Sequence, residues 1–226
     1  MAVGGRCVTS AGMGAPDPAQ LLTALTTEHF TLQGARSQTM SESSARASVY
    51  MTSVSSALVA LGFVSQVADG IGRVFDVFAL TVLPTVYFLG CATYVRLVEC
   101  GAEDLRYGLA INRIRGYYQE LAGDRADLFL LSGHDDAAGV FLNMGIAPDR
   151  RSPAFAFSTA VAVVNGVVGG AVAALALGAA DVPLGPAAAV GVVVAAVSIV
   201  GWVRRGGRIL AVAAQQVTPL SPSPSA

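Results

Sequence analysis

Ser132-Gly133-His134-Asp135-Asp136 is the one stretch of this chain where an imidazole stands beside carboxylates. Such a group has the chemistry of a divalent-cation site or a general acid–base pair. A metal site needs further ligands at defined spacing, and the flanking sequence offers none, so the expectation for residues 132–136 is a solvated loop. His29 stands alone on an apolar helix face, where a packed or interfacial histidine is a simpler reading than a ligand. The motifs GxxxxGK[ST], HExxH and GxSxG are lacking, which removes the main props of phosphate-loop, zincin and hydrolase readings. Cys7, Cys91 and Cys100 form neither a CxxC nor an even framework and read as plain thiols. The expectation is therefore no catalytic, cofactor-binding or metal-binding residue, and no enzyme.

The elements that must carry these residues are unusually apolar. Of 226 residues 54% are hydrophobic and 13% charged, against about 25% charged in soluble domains. The shortfall is concentrated. Residues 47–68, 77–95, 152–180 and 182–203 contain no Asp, Glu, Lys or Arg, over lengths of 22, 19, 29 and 22. About 20 helical residues cross the hydrocarbon of a bilayer. One such block fits a buried core helix, but a globule of this size has no interior for four. The sequence predicts an all-α chain with four transmembrane helices.

The basic residues orient them. All 14 are Arg, and 13 lie in the N-terminal, central and C-terminal segments; the first short connection holds only Arg73 and the second none. Positive residues stay cytoplasmic. Both termini and the central segment are thus expected inside a bacterial inner membrane, with the turns near Gly70 and Asp181 outside. Tyr50, Tyr94, Phe155, Phe157 and Trp202 fall near the expected inner ends, the depth amphipathic rings prefer. Arg150, Arg151, Arg204 and Arg205, with Arg208, are expected at the inner headgroups, each worth about 1 kcal/mol near anionic lipid. A net charge of −1 lacks the basic footprint that nucleic acid requires. No secretory signal is legible before residue 47.

Within the spans, Gly166-Val-Val-Gly169-Gly170 is a GxxxG-type match, and Ala187, Gly191 and Ala195 share a stripe of the fourth span. Small residues let helices approach closely in lipid, so Gly166, Gly169, Gly170 and Gly191 are expected helix-packing positions, within one chain or between copies. No ionisable group lies deep in a span. The polar candidates are Asn165 in span three and Ser55 and Ser56 in span one, which either line a pore or bond across helices. Pro84 predicts a kink in span two.

Outside the spans, residues 1–16 read as disordered. Asp17-Pro18 is a helix start. Leu22, Leu25, His29 and Leu32 then give a cytosolic amphipathic helix over 17–46, with Gly34 as a point of interruption before it runs into span one. Glu42 and Arg46 are spaced as an i,i+4 pair. Arg106–Leu121 reads as a helical extension of span two. Residues 124–151 read as irregular, with apolar runs Leu128–Leu131 and Val140–Met144 expected to contact the N-terminal helix. The Pro/Ser-rich tail from Thr218 reads as disordered.

Leu21–Phe63 and Ala110–Tyr118 (AINRIRGYY) resemble a group of four-span membrane proteins of high-GC actinobacteria. That resemblance implies the architecture and attaches no activity, cofactor or ligand to it. The domain order expected is spans one and two over 47–98, a cytosolic helical segment over 99–151, spans three and four over 152–205 and a tail over 206–226. The function expected is a structural or interaction membrane protein, working as a homo-oligomer in the lipid bilayer. The alternative is a small channel or pore-forming effector gated through its cytosolic helices.

Overall fold

A computed structural model of the chain describes residues 17–67, 72–145 and 156–224. Among the described residues all regular structure is helical. Helices α1 (Pro18–Val67), α2 (Gly72–Ala122), α3 (Ala137–Asn143), α4 (Ala156–Ala179) and α5 (Leu184–Gln215) follow in order, with a 3-10 turn at Gly123–Leu128 after α2. All but α3 are long and apolar enough to cross a membrane.

Helices α1 and α2, at 50 and 51 residues, rise about 75 Å at 1.5 Å per residue, far more than the ~30 Å of a bilayer's hydrocarbon. Each therefore has an apolar half and a charged half. Asp17 opens α1, its carboxylate accepting from the Ala19 N–H at 3.3 Å. The helix then runs unbroken through Gly34, contrary to the expected interruption. One interior glycine costs about 1 kcal/mol, too little to open a helix packed along most of its length. Buried residues Thr39, Ser43, Ala47, Tyr50, Val54, Ala57 and Leu61 mark a single seam spaced by threes and fours, which carries the packing face from the charged half into the apolar half. Helix α2 continues across Pro84, where the Thr81 and Thr85 hydroxyls donate back to the Val77 and Thr81 carbonyls at 2.7 and 2.9 Å.

Helix α2 touches every other element, while α4 and α5 form an antiparallel hairpin against it. The hairpin turns at Asp181, whose φ of 60° lets the Val182 N–H reach the Leu177 carbonyl at 3.0 Å. An added Cβ at Gly170 would strike the Gly191 carbonyl, one at Gly191 the Gly170 carbonyl, and one at Gly166 Ile199, while one at Gly169 would press on the Tyr87 ring of α2. The four glycines thus set close approaches within one chain.

Past the apolar half, residues 124–145 are more ordered than expected. Val140 of α3 is buried against Leu105 and Leu109 of α2, with Val217 of the tail beside them. The run Leu128–Leu131 stays largely exposed, with Leu130 at 96%. Val140 packs chiefly on the apolar ridge of α2, while Val140, Phe141 and Met144 share a cavity with Thr39, Met40 and Ser43 of α1, and Phe129 shares a groove with Leu22 and Thr26.

Candidate functional site

Below the apolar half, α2 presents Asn112, Arg113 and Arg115 toward the loop 131–136. The loop lies almost backbone to backbone on the helix. A Cβ at Gly116 would sit 3.0 Å from the Gly133 carbonyl, and one at Gly133 would meet Gly116 Cα at 2.9 Å. Only glycine at both positions permits that approach. Asn112, 3% exposed, then pins the loop, donating to the His134 carbonyl at 2.8 Å and accepting from Arg115 and Asn143, both at 2.9 Å. Asn143 in turn accepts from the Ser132 N–H at 2.7 Å and donates to its carbonyl at 2.9 Å.

This scaffold aims both aspartates at the C-terminal tail. Asp135 is 1% exposed. Its carboxylate accepts from Arg113 Nε at 2.7 Å, from the Leu220 N–H at 3.0 Å and from the Ser221 N–H at 2.8 Å. Its own N–H donates to the Ser221 carbonyl at 3.2 Å. Asp136 caps α3 through the Gly139 N–H at 2.7 Å and takes the Ser223 N–H and hydroxyl at 2.6 and 2.7 Å. Arg113 Nη2 reaches the Thr218 carbonyl at 2.6 Å, and Arg106 reaches Gln216 at 2.7 Å. Burial alone would raise the Asp135 carboxyl; the N–H groups of Leu220 and Ser221, together with Arg113, outweigh it and hold the group below the usual carboxylate range. Burial is likewise outweighed at Asp136 by the Gly139 and Ser223 donors, so that carboxyl is also depressed.

Two expectations are overturned here. Loop 132–136 is not a solvated loop, because its carboxylates are the acceptors of a clamp. The tail is not disordered over 218–224, because prolines at 219, 222 and 224 restrict its backbone while the N–H groups of Leu220, Ser221 and Ser223 meet carboxylates. Arg113, within the helical extension expected over Arg106–Leu121, joins the loop to the tail through Asp135 and the Thr218 carbonyl. Among the described residues no group of three or more His, Cys, Asp or Glu could hold a metal ion. His134 faces the Ser221 carbonyl at 3.3 Å.

Nearer the apolar half a second set of charges joins α1 to α2. Arg36 grips Asp104 through two bonds of 2.7 and 3.2 Å. Arg96 grips Glu42 at 2.9 and 3.2 Å and also reaches Glu99 and Glu103, both at 3.3 Å. The expected Glu42–Arg46 pair forms at 2.8 Å. Arg96 and then Arg46 pull the Glu42 carboxyl down to about 2. His29 is held below the usual imidazole range by burial and by Arg115.

In the apolar half, Asn165 is 1% exposed. It accepts from the Tyr50 hydroxyl at 3.1 Å and donates to Cys91 Sγ at 3.4 Å. A Cβ at Gly90 would overlap its amide. Ser55 and Ser56 are exposed, and the Ser55 hydroxyl bonds back to the Met51 carbonyl at 3.0 Å. They share no face with Asn165, because the buried seam of α1 passes through Tyr50, Val54 and Ala57. Arg204 and Arg205 are exposed near the end of the apolar stretch of α5. Arg150, Arg151 and Phe155 lie outside the described residues, as do Arg6, Cys7 and the turn at Gly70.

Comparison with known protein families, curated proteins and solved structures found no match for this chain. Geometry alone carries the functional reading.

Proposed function

We propose that this chain is an integral inner-membrane protein with both termini in the cytoplasm, acting through protein contacts as a homo-oligomer and catalysing no reaction. The resemblance to four-span actinobacterial proteins is part of the same reading. One observation carries it: the water-side half is stiffly braced yet displays an uncovered apolar surface. Leu121, Leu128 and Leu130 are 62, 73 and 96% exposed, and Phe30 of α1 is 70% exposed. Apolar surface that a folded module leaves in water marks a contact site. The groups with chemical capacity point the same way, since His134, Asp135 and Asp136 are spent on the tail. A pore has less support, because Asn165 is closed off between Tyr50 and Cys91 while Ser55 and Ser56 face outward.

The test is the number of copies per particle in lipid nanodiscs, read by mass photometry. More than one copy is expected, falling to one in a Leu128→Asp, Leu130→Asp double variant with unchanged helix content. A wild-type chain that stays single at all concentrations defeats the oligomer reading. Reporter fusions that place Tyr117 outside the cell defeat the orientation.

A further inference from the structure

All five helices meet around one cavity of about 260 Å³, where the apolar half gives way to the charged half. A cavity of about 150 Å³ accepts a benzene-sized guest, so this one has room for a longer aliphatic segment. Its walls come from Leu97 and Leu105 of α2, Phe141 of α3 and Leu210 of α5. Met40, Met144 and Phe157 also line it and remain 46, 36 and 46% exposed, forming an apolar mouth. Methionine adapts readily to a flexible guest.

The polar groups in the lining select against charge. Asp104 is neutralised by the two bonds from Arg36. Burial pushes the Cys100 thiol up, so it stays protonated and neutral. What remains are hydroxyls. Thr39 donates to the Ala35 carbonyl at 3.0 Å and keeps its acceptor capacity, and Ser43 lies one turn further along the same face. Apolar walls with a few convergent polar groups are the usual make-up of a small-molecule site. A carboxylate or phosphate entering beside Asp104 would find no free cation among the described lining residues, whereas an ester or hydroxyl finds Thr39 and Ser43.

We propose that this cavity binds an uncharged single-chain amphiphile of the monoacylglycerol type, drawn from the inner leaflet, with its chain between α2, α3 and α5 and its hydroxyl end at Thr39 and Ser43. The source of the ligand rests on the membrane placement proposed above; the choice of a neutral head group does not. The test uses the full chain in phosphatidylcholine nanodiscs with a monoacylglycerol that carries a photoreactive diazirine in its chain. Adducts are expected on the peptides holding Met40, Met144 and Phe157. A Cβ at Gly101 meets only Leu210 Cδ2, at 3.8 Å, so Gly101→Leu fills the cavity and should cut labelling about tenfold, equivalent to ~1.4 kcal/mol of binding. Ser43→Leu fills it from α1 and guards against misfolding of the first variant. Gly34→Leu, where nothing lies within 4 Å, should leave labelling unchanged. Unlabelled monoolein should compete and palmitate should not.

Labelling spread over the exposed span faces and indifferent to both filling variants overturns the site. Equal competition by palmitate overturns the neutral head group. Alkaline carbonate separates this from the membrane reading. A chain washed from membranes overturns that reading, and a chain that resists washing but labels diffusely overturns the cavity alone.

Discussion

The apolar and charged halves of α2 are one continuous helix, yet they hold their neighbours by opposite means. In the apolar half, contact comes from absence: Gly90, Gly166, Gly169, Gly170 and Gly191 withhold side chains so that backbones, Tyr87 and Asn165 come close. In the charged half, Gly108, Gly116 and Gly133 also permit close approach, but contact is fixed by bonds: Asp104, Asp135, Asp136 and Glu42 each accept at least two. With the apolar half placed in lipid, as proposed above, the difference follows from the solvent of each half. Lipid tails are as apolar as leucine, so helices there gain from close van der Waals packing and an occasional internal hydrogen bond. Water competes for every polar bond, so the other half works by burying a carboxylate and surrounding it with donors.

The sharpest way to break the charged half alone is Asp135→Ala. It strands Arg113 and the N–H groups of Leu220 and Ser221 in a site where the carboxylate is 1% exposed. Removing one member of a fully buried pair costs about 3–5 kcal/mol; Arg113 keeps 38% side-chain exposure and can turn to water, so the loss here belongs at the lower end, about 3 kcal/mol. The expected result is rapid amide exchange in residues 217–224 with exchange in α4 unchanged. Slow exchange at Leu220 in the variant would mean that the tail is held by something else. Acid should do the same in wild type. Because the folded-state Asp135 and Asp136 carboxyls are depressed, their stabilisation is complete above the unfolded carboxylate range and disappears only as pH falls through the lower folded values. Tail release at neutral pH contradicts the clamp.

The converse break is Gly170→Val, whose Cβ would strike the Gly191 carbonyl. Overpacking of this kind costs about 1–3 kcal/mol, with the upper end expected because backbone, not a flexible side chain, is in the way. Unfolding of the α4–α5 hairpin in mixed micelles should shift while tail exchange stays slow. A variant as stable as wild type would show that the two helices separate freely.

The same contrast explains what sequence reading reached. Spans in lipid are written in composition, so four charge-free blocks and a GxxxG-type stripe were enough to locate the apolar helices and their small-residue packing face. The clamp is written in partners 85 to 87 residues apart, as in Asp135 to Leu220 and Asp136 to Ser223. No local period or motif connects them, and a Pro/Ser tail has the composition of a disordered one. Asn165 was visible as a polar residue in a span. Its partners Tyr50 and Cys91 were not, because helix rotation about each axis sets which residues face each other.

Asn165→Leu tests that node. Hydrogen bonds between membrane helices average about 0.6 kcal/mol and reach ~1.7. The loss should fall near 1 kcal/mol, since Tyr50 is fully buried and keeps an unanswered hydroxyl. A cycle with Tyr50→Phe isolates the pair: the double variant should cost clearly less than the two single losses added together. Strict additivity would mean that the hydroxyl and the amide do not interact. Conductance of the wild-type chain in liposomes, abolished by Asn165→Leu, would instead revive the pore.

The smallest effect is expected at the boundary between the two regimes. Arg96 draws on Glu42, Glu99 and Glu103 and directly follows the charge-free block 77–95 of α2. These carboxylates keep contact with water, Glu42 at 29% and Glu99 at 53% side-chain exposure, so the network lacks the leverage of the buried Asp135. Glu42→Gln removes the negative charge shared by Arg46 and Arg96 while keeping one acceptor oxygen, and should lower stability less than any variant above. The deficit should shrink as salt rises toward 1 M, where the screening length falls to ~3 Å. A loss as large as that of Asp135→Ala, and insensitive to salt, would place Glu42 in a drier setting and move the boundary between the two packing regimes toward the charged end of the molecule.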